Sequence, residues 1–309
     1  MKIDVIVPTY NRSALVRKTL NSLMRAKVPD GLEVTIIVVD NNSVDDTEAV
    51  VKKFPVVYVR ELKQGLSSAR NRGVMAGTSE LIGFIDDDEE VDEHWFDVIH
   101  REFQDPAVRF IGGPCLPNWE ASIPSWLPPG YNGALGVITP KQRGTMDASF
   151  SGNLNGGNAV IRRNVFDEVG LYSTKLGRSG KGLLSEEDAE FYERLQSHKV
   201  YGLHVPDLII YHYIPRSRLT KKYHRRWAYW RAVSQGYLAR EKQAPVAQVV
   251  GVPRYMVGRV VKNAAHMPQY VLSGSKGKAF AAELSAWDLA GFVYGRHLVN
   301  MDRYYRAHR

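Results

Sequence analysis

The chain has 309 residues, of which 44% are hydrophobic and 24% charged, a composition typical of globular proteins and unlike that of disordered or fibrous chains. Its single cysteine, Cys115, excludes an intrachain disulfide, a multi-cysteine zinc site and an iron–sulfur centre. No apolar run reaches the roughly 18 residues of a transmembrane helix, and the short N-terminal apolar stretch, which carries Pro8, does not resemble a cleaved signal peptide. We therefore expect a cytoplasmic protein whose membrane contact, where there is any, is peripheral and on the cytoplasmic face.

The formal net charge of +8 is unevenly distributed along the chain. Residues 1–214 hold 23 Lys and Arg against 29 Asp and Glu, whereas residues 215–309 hold 18 against 4, so the net charges are −6 and +14. A basic segment is attracted to polyanions, here either nucleic acid or an anionic membrane surface. The length and this asymmetry predict a catalytic domain over residues 1–215 and a basic C-terminal region over residues 216–309.

Strands and helices alternate over the first 85 residues. Residues 3–7 form an apolar run that Pro8 ends, and Val16, Leu20 and Leu23 then recur at helical spacing. The same pattern continues, with predicted strands at residues 3–7, 34–39, 56–59 and 81–85 and later helices near 45–53 and 67–76. Such alternation predicts an α/β fold with a mostly parallel sheet and helices on both faces.

Polar clusters follow three of these strands directly, at residues 9–12, 40–43 and 86–88. In parallel sheets, ligands bind in the crevice beyond the carboxyl ends of the strands. The sequence therefore predicts that these three separate segments converge on one crevice.

The regular alternation stops near residue 110. Residues 112–157 are rich in Gly and Pro and contain Trp119, which predicts long loops over the sheet. A strand at residues 158–162, a helix at 185–196 and strands at 200–205 and 208–213 are predicted next.

The basic region after residue 215 has a mainly helical pattern. Four aromatic residues at helical spacing, Tyr223, Trp227, Tyr229 and Trp230, are interleaved with basic residues, and they indicate either core packing or a stacking surface for nucleic acid. A second helix is predicted after Pro245, with Val246, Val249, Val250, Val257, Val260, Val261 and Ala264 on one side and Arg254, Arg259 and Lys262 on the other. Such a basic amphipathic helix either packs on the catalytic domain or attaches to a membrane surface.

The densest acidic run is residues 86–90, with the sequence DDDEE. Taken alone, a charge run is often a solvated surface. Because this one follows an apolar strand, its carboxylates are expected to face the crevice, where their mutual repulsion is costly without a cation. Hard oxygen ligands of this kind suit Mg²⁺ or Mn²⁺.

Three further features each permit two interpretations. Ser185 with Asp188 matches a capping-box pattern, but Asp188 or Glu187 could instead act as a general base. His212, at the end of a predicted strand, is either a structural histidine or a ligand. Residues 152–158, rich in Gly and Asn, form either a turn or a segment that approaches a ligand closely.

Five segments in this order resemble the signature of family-two inverting glycosyltransferases with the GT-A fold. They are VIVPTYNR at residues 5–12, VVDNNSVDDT at 38–47, the stretch from Gly65 to Gly73, FIDDD at 84–88 and Glu187-Asp188. The resemblance covers about residues 1–215 and implies a GT-A domain with a nucleotide-sugar half at about 1–110 and an acceptor half at about 111–215.

The resemblance also implies roles for individual residues of this sequence. Asp188 matches the base that deprotonates the acceptor, with Glu187 beside it, and Asp88 matches the metal ligand of the DxD motif, with His212 as a further metal candidate. The implied nucleotide-sugar site comprises Pro8, Thr9, Asn11, Arg12, Asp40, Asn42, Arg70, Asp86 and Asp87. Gly157 and Asn158 match the segment beside donor sugar and acceptor, and we place Trp119, from the long loops, in the same region.

The implied activity is transfer of one sugar, with inversion and a divalent metal, Mn²⁺ or Mg²⁺, from a nucleotide diphosphate sugar to a glycan or lipid-linked glycan, as in polysaccharide or glycolipid biosynthesis. A UDP-sugar is expected, since Asp40 resembles a uracil-contacting residue. Processive relatives carry a Gln-x-x-Arg-Trp motif, but here Tyr223 stands in place of the Gln before Arg226-Trp227, which favours single addition.

Three alternatives compete with this interpretation. A nucleotidyltransferase would need a glycine-rich, basic phosphate loop, which residues 9–12 do not form. A non-catalytic sugar-nucleotide binder is disfavoured by the retained Asp88 and Asp188. A nucleic-acid-binding protein is disfavoured by the acidic crevice, so no nucleic-acid partner is expected.

Overall fold

The computed structural model describes residues 1–128, 133–139, 141–147, 149–180, 182–240, 247–301 and 304. Numbered in chain order, its strands are β1 (Lys2–Thr9), β2 (Glu33–Asp40), β3 (Val57–Arg60), β4 (Leu81–Phe84), β5 (Glu89–Val91), β6 (Phe110–Gly112), β7 (Cys115–Trp119), β8 (Gly144–Thr145), β9 (Ala159–Arg162), β10 (Gly202–His204), β11 (Ile210–Ile214), β12 (Gln248–Val249) and β13 (Val252–Pro253). Its α-helices are α1 (Ser13–Arg25), α2 (Thr47–Val51), α3 (Leu66–Ala76), α4 (Trp95–Glu102), α5 (Arg163–Val169), α6 (Glu187–Ser197), α7 (Lys221–Leu238), α8 (Arg254–Leu272) and α9 (Lys276–His297).

The chain divides into two compact units. The first comprises Met1–Asn118, Val137–Gly180 and Glu187–Tyr213, and the second comprises Trp119–Gly136, Lys181–Glu186 and Ile214–Arg309. The single boundary predicted after residue 215 lies close to the change of unit after Tyr213. The sequence did not indicate that Trp119–Gly136 and Lys181–Glu186 belong to the second unit. Segments this short do not change the local composition enough to be recognised.

An eight-stranded sheet forms the centre of the first unit, in the order β3-β2-β1-β4-β9-β6-β10-β8. Strand β1 runs parallel to both β2 and β4, and its register places Thr9 opposite Asp40, so the polar clusters after these strands share one edge. Strand β9 is antiparallel to β4 and β6. The predicted α/β fold with a mostly parallel sheet is confirmed.

Alternate residues of β1 enter two different hydrophobic clusters, as expected for a strand buried on both faces. Ile3, Val5 and Val7 pack with residues of α1 and α4, whereas Ile6 packs with residues of α3, α5 and α6. Helices therefore cover both faces of the sheet, and this arrangement holds the carboxyl ends of its central strands in fixed positions.

The strand predicted at residues 208–213 is β11. It is not part of the central sheet but of a second sheet, in the order β5-β11-β7. Strand β5 contains Glu89 and Glu90, so the two glutamates that end the acidic run lie in a paired strand rather than in a loop. The antiparallel register places His212 opposite Glu89. This pairing, which strand propensity alone could not specify, brings His212 to the acidic run.

The second unit is built mainly from α7, α8 and α9, and the aromatic residues of α7 take part in its packing. Tyr229 contacts the rings of Trp230 and Tyr294, and Trp227 is partly buried against the cluster of Ala228 and Phe280. The core-packing interpretation of these aromatic residues fits the structure better than a nucleic-acid stacking surface, because stacking needs open ring faces.

Helix α8 begins later than the sequence predicts. Val249 lies in the β12–β13 hairpin and Val250 in its turn, where Val250 and Gly251 both have positive φ, of 50° and 72°. This turn interrupts the helical pattern, since two consecutive residues of positive φ reverse the chain. Pro245 and Val246 lie outside the described residues. Among the residues that are described, no helix is both long and apolar enough to span a membrane.

Candidate active site

Hydrogen bonds join the loops that follow β1 and β4. Thr9 Oγ1 donates to Asp87 Oδ2 at 2.8 Å, and Arg12 Nη1 lies 2.8 Å from Asp87 Oδ1 and 3.1 Å from Asp88 Oδ2. Pro8 is buried within β1, directly before this contact. One guanidinium thus pairs with two buried carboxylates, and the structure brings these residues together as the strand-end argument predicts.

The loop after β2 is bound to the loop after β1. Asn11, with a φ of 51°, accepts from the Val44 amide at 2.8 Å and donates its own amide to Ser43 Oγ at 2.9 Å. Asp40 is buried, and its carboxylate accepts from the Ser43 amide at 2.8 Å and from the Tyr58 hydroxyl at 2.6 Å. These contacts fix the shape of the predicted nucleotide pocket.

Asn42 lies in the same loop with a φ of 67°, and its side-chain oxygen accepts from Arg60 Nη2 at 3.3 Å. Arg60 also donates to the Ser43 carbonyl at 3.3 Å. The sequence analysis missed Arg60 and Tyr58, both on β3, since a strand residue that contacts its neighbouring strand's loop carries no motif of its own.

Arg70 joins two carboxylates that lie far apart in the sequence. Its Nη1 is 2.7 Å from Asp188 Oδ1, and its Nη2 is 3.0 Å from Asp86 Oδ1. The Arg70 side chain is 1% exposed, and its guanidinium lies over the Tyr172 ring at 5.5 Å. Arg70, which the resemblance places in the nucleotide-sugar site, is thus a buried cation that connects the acidic run to α6.

Burial affects two carboxyl groups of the acidic run, Asp87 and Glu89. It raises the pKa of Asp87 to about 6, although the Arg12 charge opposes the shift. It also raises the pKa of Glu89, and the charges of Asp86 and Asp88 add to this effect. Adjacent carboxylates with raised pKa values attract a cation, since a positive charge offsets their repulsion.

Glu187 and Asp188 occupy the first turn of α6, as the first two residues of that helix. Ser185 therefore is not its N-cap residue, and the Asp188 carboxylate is held by Arg70 rather than by a capping box. Burial raises the pKa of Asp188, and burial together with the Asp188 charge raises the pKa of Glu187 to about 8. The structure thus favours the general-base interpretation of this segment.

We expect Glu187→Gln to change how stability depends on pH. The pKa of Glu187 is about 8 in the folded protein and 4.5 ordinarily, so between these values the folded state retains a proton that the unfolded state has lost. Wild-type stability then falls as pH rises, by about 1.4 kcal/mol per unit from this group. Urea unfolding from pH 5 to 8 should show a smaller fall in the variant.

The matched control is Glu190→Gln on the same helix, since Glu190 is paired with Arg194 at 2.8 Å. Its pH profile should follow the wild type through this window. Equal slopes for wild type and Glu187→Gln would contradict the proposed buried, protonated Glu187.

Asp88 and His212 offer oxygen and nitrogen donors to a divalent metal. Asp88 Oδ2 lies 3.6 Å from His212 Nε2, and both side chains are 7% exposed. Within the described ranges, no three His, Cys, Asp or Glu side chains converge as a preformed metal site. A carboxylate with an imidazole nonetheless suits Mn²⁺, so these two residues fit the implied ion.

Two consecutive glycines allow the loop before β9 to approach the acidic residues. A Cβ at Gly156 would collide with the Asp188 carboxylate and with Arg70, and a Cβ at Gly157 would collide with the Glu89 carboxylate. Glycine is therefore favoured at these positions by the close approach of protein side chains. Gly157 lies beside Glu89, and its place beside donor sugar and acceptor stays a prediction.

Asn158 does not present its side chain to this site. The residue is fully buried, accepts from Trp95 Nε1 at 3.0 Å and donates to the carbonyls of Pro114 and Leu208 at 3.1 and 2.7 Å. The side-chain amide is therefore used inside the core, and the placement of the Gly157-Asn158 segment beside donor sugar and acceptor stays a prediction. Trp119, partly buried at the end of β7, belongs to the second unit, and its placement in the acceptor region stays a prediction.

A family model described as glycosyl transferase family 2 matches residues 4–170. The sequence is also 28% identical over 215 residues to a glucosyl-dolichyl phosphate glucuronosyltransferase of Haloferax volcanii, covering 65% of this chain and 67% of that protein. A GalNAc(5)-diNAcBac-PP-undecaprenol beta-1,3-glucosyltransferase of Campylobacter jejuni is 36% identical over 129 residues, 40% of each chain. This chain spans about two thirds or less of the length of the curated relatives it matches.

Among solved structures, a mannosyltransferase from Pyrobaculum calidifontis in complex with GDP-Man and Mn²⁺ resembles this fold with a TM-score of 0.62. The alignment covers 95% of this chain and 86% of that chain, at 18% sequence identity. The likeness confirms the predicted GT-A-type fold. At this identity it concerns the fold alone.

Proposed function

The chain belongs to glycosyltransferase family 2, and on that premise we propose that it transfers a single sugar, with inversion, from a nucleotide diphosphate sugar to a hydroxyl of a glycan or lipid-linked glycan. The observation that carries the proposal is the Arg70 bridge, with Nη1 at 2.7 Å from Asp188 and Nη2 at 3.0 Å from Asp86. This bridge puts a candidate base and the acidic run that would face the diphosphate in one polar cluster.

Asp188 is the proposed general base. Its raised pKa makes the carboxylate a stronger proton acceptor than an exposed aspartate, and Arg70 holds one oxygen in place. The acceptor hydroxyl gives its proton to Asp188 while its oxygen bonds to the anomeric carbon, and the nucleoside diphosphate leaves with the electrons of the broken bond. One base without a protein nucleophile gives a single displacement and hence inversion.

Asp88 and His212 would hold a divalent cation, which supplies Lewis-acid stabilisation of the leaving diphosphate. Arg12 stabilises the loop that carries Asp88, because its guanidinium also binds Asp87. The proposed cation would supply positive charge where the leaving group gains negative charge.

The proposed nucleotide pocket comprises the loops after β1 and β2, with Asp40 at its base. We propose UDP as the nucleotide, on the resemblance of Asp40 to a uracil-contacting residue. A lipid-linked acceptor is supported by the names of the two relatives above, which specify dolichyl phosphate and undecaprenol diphosphate carriers.

The proposal is tested by measuring donor hydrolysis and binding across UDP-, GDP- and dTDP-sugars with Mn²⁺, Mg²⁺ or EDTA. We expect one UDP-sugar to be turned over only with metal, and UDP to bind at least about tenfold more tightly than GDP, since the loss of one hydrogen-bonded partner costs about 1.4 kcal/mol or more. Tighter GDP or dTDP binding would exclude UDP. Absence of binding to every nucleotide sugar would refute the transferase proposal.

A further inference from the structure

Helix α8 presents a row of apolar side chains to solvent. Val257, Val261, Ala264, Pro268 and Val271 recur at intervals of three or four residues, so they lie on one side of the helix, and Leu272 adjoins them. Val261 and Val271 are each 65% exposed and Leu272 is 88% exposed. We call these six residues the α8 stripe.

The helix is described from end to end, and Met256 is its one buried residue. Most surface helices of globular proteins turn their apolar side toward the core, whereas here the stripe faces outward. Exposed apolar rows of this kind mark interaction sites rather than ordinary surface. The stripe therefore suits a partner that can cover its apolar side chains.

The charges around the stripe are positive. Helix α8 contains no acidic residue, and its Arg254 and Lys262 are exposed. The acidic residues of α9 are neutralised within the unit, since Glu283 pairs with Arg225, and Asp288 pairs with Arg231 at 2.9 Å and Arg259 at 3.0 Å. The face that carries the stripe is thus apolar and cationic.

We propose that the α8 stripe inserts into the headgroup region of an anionic membrane, with Arg254 and Lys262 contacting lipid phosphates. A helix with an apolar face and basic flanks lies in the plane of such an interface. A second copy of this chain fits less well. From Val257 to Leu272 the stripe is about 22 Å long and about 10 Å wide, roughly 220 Å², far below the ~800 Å² per partner of a stable interface, and two copies would juxtapose like charges.

The proposed membrane-binding surface is the α8 stripe, and it does not depend on the proposed function. Membrane binding would bring the enzyme to a lipid-linked acceptor, and this role of the stripe rests on the proposed function. The two are tested separately, since vesicle binding needs no nucleotide and nucleotide binding needs no vesicle.

The experiment is sedimentation of the full chain with phosphatidylcholine vesicles that contain or lack phosphatidylglycerol. We expect the wild type to bind the anionic vesicles and to dissociate as salt is raised. The double variant Val261→Asp/Val271→Asp should lower the partition coefficient at least about tenfold, because it places charge in the apolar stripe. Arg254→Gln/Lys262→Gln should weaken binding to anionic vesicles while leaving the weak binding to neutral ones unchanged.

The matched control is Met75→Asp, since Met75 is 60% exposed on α3. It should bind vesicles as the wild type does, and circular dichroism together with nucleotide calorimetry on each variant reports folding. The proposal is overturned if the wild type ignores anionic vesicles, if the stripe variant binds undiminished, or if light scattering shows a dimer that the stripe variant dissociates. Vesicle binding by a chain that binds no nucleotide sugar would support the surface and refute only the proposed function.

Discussion

Asp188→Asn is expected to lower turnover by about 10²- to 10⁴-fold, the usual contribution of a general base, while changing donor affinity by less than about threefold. Asparagine keeps the shape of the side chain, and its amide oxygen can still accept from Arg70 Nη1, which lies 2.7 Å from Asp188 in the wild type. It cannot take the acceptor's proton. The measurement pairs turnover of donor and acceptor with calorimetry of the donor.

The pH profile adds a second readout. Burial raises the pKa of Asp188, so the wild-type rate should fall on acidification at a higher pH than an exposed aspartate would produce. The matched control is Glu190→Gln, which removes an arginine-paired carboxylate two residues later on α6 and should leave turnover unchanged. Full turnover in Asp188→Asn would reassign the base, with Glu187 as the next residue to test.

Much of the first unit was predictable, because central strands have strong local signals. The four predicted strands up to residue 85 are all present as β1 to β4, and the convergence of Thr9, Arg12 and the acidic run follows from their places after parallel strands. Family membership was likewise predictable from ordered motifs, and the match over residues 4–170 confirms it.

The remaining features depend on contacts that local sequence does not encode. Long-range packing decides that β11 pairs with β5 and not with the central sheet. Long-range packing also decides that Asn158 is buried against Trp95. The Arg70 bridge joins residues 118 positions apart in the chain. Arg70 and both of its carboxylate partners were predicted as site residues, but the ion pairs between them were not, because motifs identify residue types and not partners.

Removal of the Asp88 carboxylate is expected to abolish the metal dependence of donor binding. We expect wild-type affinity for the donor to be at least about tenfold higher with Mn²⁺ than with EDTA, and the affinity of Asp88→Ala to be equal under both conditions, since the ligand that ties the ion to the protein is gone. Titration calorimetry of donor and of Mn²⁺ alone checks both parts. A metal dependence of wild-type size in the variant would contradict the assignment of Asp88.

A loss of binding in Asp88→Ala can be attributed to the ion rather than to collapse of the loop. Arg12 Nη1 keeps Asp87 at 2.8 Å, and Thr9 Oγ1 still donates to the same carboxylate at 2.8 Å, so the loops after β1 and β4 remain joined. The control is Asp97→Ala, which breaks an aspartate–histidine pair of the same chemistry at the surface, where Asp97 lies 2.9 Å from His94. We expect Asp97→Ala to bind the donor as the wild type does, with or without metal. A loss of metal dependence in Asp88→Ala alone would then assign metal binding to the buried Asp88–His212 pair.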